Sequence, residues 1–498
     1  MGRLRWAGIL TLVLMATWPA LADDDPSVSS TTAPGDPNYP EAMATPREKW
    51  KGASKRVLDW EARTGRSYLI PAVEIPIFIM LLNVSDRLIY GNDIYGTDPT
   101  TTWDHVRKGP WQFDADDFRT NQAFHPYQGT IYFGLARSAG LTYWESLLYT
   151  SAGSFLWETA GENGPPSIND QVASGIAGSF FGEELFRMAN MTLERGGKRP
   201  GFWRELGAAF ISPPIGVNRL VFGDRFKTVL PSRNPATFTR VRLGASLTEK
   251  VSNQGVSSTL HNKEATGEFF MAYGLPGKPG YRYIRPFDYF HFEAAAVANN
   301  GSSFENIMTR GFLLGRRYEV GDSYRGIWGL YGNYDYISPR TFRVSTTGAS
   351  LGTTGQLWLS RKVALQGTVL AGPGFGAAGT VAGEGDRDYH YGAAAQGLLS
   401  LRLIFGKLAM LDATGREFYI SGVGSAERRG TEQIARGNVS FTVRIYGRHA
   451  VGVQYIQSRR DADYSNIPER HQTTETFSLA YNFLGDTRFG AVEWRDEP

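Results

Sequence analysis

The sequence predicts an α+β chain, with an N-terminal helical module followed by an antiparallel transmembrane β-barrel of about 12 strands. Three observations predict it. The apolar residues change rhythm near residue 225, from helical blocks to strict alternation. An export signal opens the chain. No uncharged stretch reaches 18 apolar residues, so helices alone are not expected to cross a membrane.

The signal comes first. Arg3 and Arg5 are followed by an apolar stretch from Ile9 to Met15 and a small-x-small site, Ala20-Leu21-Ala22. Residues 1–22 read as a signal peptide, too short to stay as an anchor. The chain has no cysteine, which excludes a lipoprotein anchor, disulfides and thiolate chemistry. The 7 histidines are scattered, no two within five positions, which removes HExxH-type metal spacings. Without the two signal arginines, basic and acidic residues nearly balance, and nucleic acid is excluded as a partner.

Residues 23–46, rich in Asp, Pro, Ser and Thr, read as a disordered linker. The helical module is expected over 47–224. Its first helix, 47–64, carries Trp50, Val57 and Trp60 on one side and reads as a surface helix. Ile75 to Val84, broken by Pro76, predicts a buried helix within 72–90, and 91–120 reads as loop. A helix over 141–161 is stopped by Gly164-Pro165-Pro166. Ser167 caps the next, with Asp170 at the capping-box spacing, and it runs to about 193. Gly175, Gly178 and Gly182 form a stripe that lets another helix come close. A short helix, 201–210, leads through Pro213-Pro214 to the barrel, 225–498.

In the barrel half, Val241, Leu243, Ala245 and Leu247 alternate with polar or small residues, as do Val439, Phe441, Val443 and Ile445. A period of two means strands with one apolar and one polar face. Strands are expected near 236–250, 262–274, 286–298, 304–319, 324–337, 342–352, 355–371, 390–406, 408–421, 434–446, 449–460 and 471–484. Gly374-x-Gly376-x-x-Gly379 lacks a following helix and reads as a turn, not a dinucleotide site. The 24 tyrosines and 12 tryptophans suit interfacial girdles.

Candidate chemistry lies in 124–187. Ser154, Glu158 and Glu162 share a helix face, and Asp170 opens the following helix. With His125 they form a candidate acid/base or cation-binding set: His125, Glu158, Glu162 and Asp170. Arg137, Ser167, Asn169, the three stripe glycines and the Glu183–Arg187 pair are read as structural. No cofactor is implied, and the metal question stays open.

The pattern His125-Pro126-Tyr127-x-Gly129, Ala136-Arg137, Ser154-x-x-Trp157-Glu158, Glu162, Pro166-Ser167-x-Asn169-Asp170 and Gly178-x-x-x-Gly182-Glu183 resembles the bacterial domain-of-unknown-function family numbered 3943. The resemblance covers about 121–190. It implies an exported, envelope-associated protein with a β-rich remainder and supplies no activity.

The expectation is an outer-membrane protein whose helical module faces the periplasm or plugs the lumen, in a structural or transport role. An envelope-lipid-modifying enzyme and a diffusion pore are the alternatives. Expected partners are outer-membrane lipids, the barrel-assembly machinery and periplasmic chaperones; the oligomeric state is left open.

Overall fold

The computed structural model describes residues 57–494 except 110, 115, 198, 254–255, 259–261, 299–303, 340–341, 381–386, 426–429 and 466–467. The signal peptide, the linker and residues 47–56 of the first expected helix lie outside the described residues; 57–64 form turns, not helix.

Twelve long strands close into an antiparallel barrel: β1 Thr237–Asn253, β2 Asn262–Tyr273, β3 Phe290–Val297, β4 Asn306–Val320, β5 Tyr324–Ile337, β6 Phe342–Trp358, β7 Val363–Thr380, β8 Tyr389–Phe405, β9 Ala409–Gly424, β10 Gly430–Tyr446, β11 His449–Tyr464 and β12 Arg470–Leu484. Each pairs with the next, and β12 closes on β1 with Val241 opposite Phe483. A short extra strand, Val256–Ser258, folds back on the end of β1.

The barrel is apolar outside and charged inside. Leu399, Leu401, Val439, Phe441, Val451, Val453, Phe477, Leu479 and Tyr481 are exposed on the outer wall. Inside, Arg240 meets Asp412 across the lumen at 2.7 Å, Arg242 meets Glu268 at 3.0 Å and Arg416 meets Asp335 at 3.0 Å. Water cannot be the solvent for such an outer wall, and a hydrocarbon layer can. The barrel is of the outer-membrane type.

The plug is not the helical module. Residues after Leu484 fold back into the lumen at the end of the tight turns. Gln356 donates to Val492 O at 2.7 Å and accepts from Val492 N at 2.9 Å, and Gln366 donates to Gly490 O at 2.7 Å. Phe489 is fully buried, and Trp494 packs edge-on to Trp358. Tail and ion pairs together narrow the bore, leaving small cavities lined by Arg402 and Asp412 and by Arg242 and Glu268. The protein is therefore expected to give no steady ohmic conductance in planar bilayers, and deleting 47–224 should not create one. A stable porin-sized step from the intact chain would contradict this.

Two strand boundaries differ from expectation. The turn placed between 352 and 355 is absent: β6 runs to Trp358, and the turn is Ser360-Arg361-Lys362. Gly352 is there because a Cβ would meet Val369 O at 1.9 Å, so the glycine marks close strand packing. The Gly374–Gly379 motif likewise lies within β7 and is not a turn. The Asn299-Asn300-Gly301 and Gly383–Asp386 turns lie outside the described residues.

The helical module lies against the outer wall of the barrel and not in its lumen, where the plug alternative put it. Its helices are α1 Leu69–Tyr90, α2 Asn92–Tyr95, α3 Pro99–Lys108, α4 His125–Ser138, α5 Tyr143–Ala160, α6 Gly178–Glu194, α7 Phe202–Ile211 and α8 Pro213–Phe222. Sequence reading missed α4 and α8 and took 91–120 for loop. The wall side is α6, which touches β4 and β5. Phe181 stacks on Phe292 at 5.7 Å, Phe118 packs on Tyr336 at 5.6 Å and Phe113 stacks on Tyr391 at 5.7 Å. These barrel partners point outward, in register with Val241 and Phe483. Behind α6 sits α4, and behind that α5 and α1.

Helix α1 differs from its prediction too. It is unbroken through Pro76, and its face with Leu69, Val73, Ile77, Met80, Leu81, Val84 and Leu88 is exposed, not buried.

The glycine stripe closes on α4. A Cβ on Gly178 would lie 2.6 Å from Gly129 Cα, and one on Gly182 would meet Phe133 at 2.9 Å; Gly175 has ordinary room. Gly178→Val should therefore destabilise the module by about 1–3 kcal/mol or more, because backbone cannot give way. The helical circular-dichroism melting midpoint in detergent checks this, and an unchanged midpoint would refute it.

Candidate functional site

Both central helices are entered through π-helical segments. Thr120–Phe124 runs into α4, and Ile168–Asp170 followed by Gln171–Ala177 runs into α6. A π segment rotates the side chains beside it out of α-helical register and often marks a functional position. The second of these segments packs on α4 and α5. The two segments set His125, the first residue of α4, against Asp170 and Ser174. The last turn of α5 brings Glu158 to the same point.

His125 Nδ1 lies 3.3 Å from Ser174 Oγ, and Nε2 lies 3.9 Å from Asp170 Oδ1. Ser167 caps the turn as predicted, its Oγ accepting from Asp170 N at 3.2 Å. Glu158 Oε2 accepts from Ser167 N at 2.8 Å, while Oε1 is buried with no hydrogen-bond partner. One ligating atom from each of His125, Glu158 and Asp170 lies within 4.8 Å of the others. Glu162 sits on the loop after α5, its Oε1 accepting from Trp157 Nε1 at 2.8 Å. Burial pushes its carboxyl up to about 7 against the lowering influence of His125. Asp116, on the loop before α4, is also raised, by burial first and then by Asp114.

The four predicted acid/base residues thus gather at one place. Asn169, read as structural, is part of the same network: Oδ1 accepts from Asp114 N at 2.8 Å, and Nδ2 donates to Asp170 at 3.0 Å. Arg137, Glu183 and Arg187 stand apart in an ion-pair cluster of their own.

The barrel completes the site. The Tyr391 hydroxyl, on the outer face of β8, accepts from Asn169 at 2.9 Å, Asn121 at 3.0 Å and Gln122 at 3.2 Å. Tyr334 of β5 donates to Gln122 O, and Tyr389 donates to Asp116 O at 2.7 Å. Sequence reasoning missed Asp114, Asn121, Ser174, Tyr389 and Tyr391. Ser174 was within reach, four residues after Asp170 and so on the same helix face. The tyrosines lie more than two hundred residues away and carry no local signal.

The cluster lies level with the first residues of β8, at the end opposite the tight turns 321–323, 359–362, 406–408 and 447–448. Around it Trp111, Phe124, Tyr127, Phe155 and Ile168 are exposed, with Trp111 stacked on Phe155 at 5.7 Å.

Residues 110–214 match the family described as domain of unknown function (DUF3943). The DUF3943 stretch takes in the whole cluster and ends at Pro214, before the first strand. No curated protein matches the chain. Among solved structures, an outer membrane channel from Pseudomonas putida F1 is 11% identical with a TM-score of 0.27, covering 51% of this chain and 97% of that one. The outer membrane channel DcaP of Acinetobacter baumannii is 7% identical with a TM-score of 0.24, covering 50% and 96%. The NanC porin is 5% identical with a TM-score of 0.26, covering 49% and 98%.

Proposed function

We propose that the protein is an outer-membrane enzyme that modifies envelope lipid, with its DUF3943 module set in the bilayer beside the barrel. The observation that carries this is where the cluster lies. It lies at the seam between module and outer wall, ringed by exposed apolar side chains, and not in the lumen.

The module's own surface supports the bilayer placement. Helix α1 has 22 residues. Such a helix is about 33 Å long, against a hydrocarbon core of about 30 Å. An exposed apolar face of that size is rare on a protein surrounded by water. Barrels of this class keep short turns on the periplasmic side and longer loops outside, which supports a site in the outer leaflet.

A lipid headgroup with a phosphoryl or ester bond is the substrate class that fits. It would reach the cluster from the bilayer. Glu162, on a loop and only partly buried, is the group free to move a proton, with His125, Glu158 and Asp170 fixed behind it. Tyr391 and Asn169 hold that arrangement.

Mass spectrometry of outer-membrane lipids tests the reading. Cells overproducing the wild type should contain a lipid species absent from cells overproducing Glu158→Gln/Asp170→Asn, with equal heat-modifiable gel mobility for both. Identical lipid profiles would leave a structural or transport role.

A further inference from the structure

We infer that His125, Glu158 and Asp170 bind one divalent cation of the zinc or manganese class. The inference deepens the enzyme reading and rests on it for what the ion does, not for whether it binds.

The donor set is one imidazole and two carboxylates from three separate segments, all buried. That combination suits first-row divalent ions, while imidazole disfavours magnesium and calcium. The 3.9 Å between His125 Nε2 and Asp170 Oδ1 is too long for a hydrogen bond. Two ligands on one ion, with bonds of about 2.1 Å, stand about 3–3.5 Å apart, so this pair must close by a few tenths of an ångström, and the wider separations, up to 4.8 Å, by about an ångström or more.

Two observations point independently to a ligand. Glu158 is 3% exposed, yet its Oε1 has no hydrogen-bond partner. A buried carboxylate oxygen left bare is costly unless something positive meets it. The orienting contacts are also those of a metal site. Ser174 Oγ engages the far nitrogen of His125, Asn169 Nδ2 holds Asp170 Oδ1, and Ser167 N holds the other oxygen of Glu158. Such outer contacts fix ring and carboxylate orientation around an ion.

The charge balance agrees. Among the described residues, no lysine or arginine pairs with Glu158, Glu162 or Asp170. Glu183, in the same module, has two arginines. A bound cation would give the cluster the positive charge that the chain itself gives Glu183.

Full-length protein in detergent, stripped with chelator, dialysed against Zn²⁺ or Mn²⁺ and washed, tests this by elemental analysis and calorimetric titration. Wild type and Glu162→Gln should retain one equivalent. Glu158→Gln and Asp170→Asn should weaken binding by more than about 100-fold, the upper end of what outer-contact changes cost. Wild type retaining no metal would overturn the inference with no variant needed. Equal binding by wild type and Glu158→Gln would overturn it as well, since the ion would then sit elsewhere. Lipid modification that survives complete stripping would overturn the ion's role and leave the enzyme reading standing. Stoichiometric metal with no lipid change would uphold the site and sink that reading.

Discussion

Glu158→Gln is expected to cut formation of the modified lipid by about 10²–10⁴-fold, the range lost when a site's acid/base chemistry is disabled, while the barrel stays folded. The substitution is nearly isosteric. The Gln carbonyl can still accept from Ser167 N, the contact that Glu158 Oε2 makes at 2.8 Å. The turn that carries Asn169 and Asp170 is therefore kept. What disappears is the carboxylate oxygen that can bind a cation or take up a proton. Glu162→Gln should lower the lipid product comparably yet spare metal retention, which separates proton transfer from ion binding. Unaltered product from Glu158→Gln at equal protein level would remove the cluster from the chemistry.

Much of this molecule is legible locally. Strand alternation such as Phe477, Leu479 and Tyr481 against Ser478 and Ala480 is a property of neighbouring residues, so the 12 strands emerge from the sequence with most ends within a few residues. The convergence of Glu158 and Asp170 is nearly local as well, because a short turn joins their helices. The errors arise where glycine and proline have two meanings. Gly352 and Gly376 are wall residues that let strands and lumen side chains approach, and the same residues also make turns. Pro76 sits inside an unbroken helix of 22 residues.

What side of the barrel wall a helix occupies cannot be read from periodicity. Phe181 and Phe292 look alike as core residues whether they meet inside the bore or outside it. Only the register, with Phe292, Tyr336 and Tyr391 on the face that includes Phe483, tells the two apart. The site inherits this. Its helical half was visible, and its Tyr389 and Tyr391 half depended on that long-range placement.

Glu183→Ala is expected to cost the module about 3–5 kcal/mol, the range for removing one partner of a buried ion pair. Glu183 is fully buried on α6 and accepts from Arg137 Nε at 2.6 Å and from Arg187 Nε at 2.9 Å. Arg187 in turn donates to Asp288 at 3.0 Å and to Pro286 O at 2.7 Å, both on the loop between β2 and β3. One carboxylate therefore couples α4, α6 and the barrel. Without it two guanidinium groups face each other in a dry seam, with only Asp288 to offset them. The barrel's own ladder does not involve this residue. The helical circular-dichroism signal should melt well below the wild type while heat-modifiable mobility of the barrel persists. Glu183→Gln, which keeps the shape and loses the charge, should fall between. If module and barrel melted together, and at the wild-type temperature, the seam would owe its stability to the aromatic contacts of Phe180 and Phe181 instead.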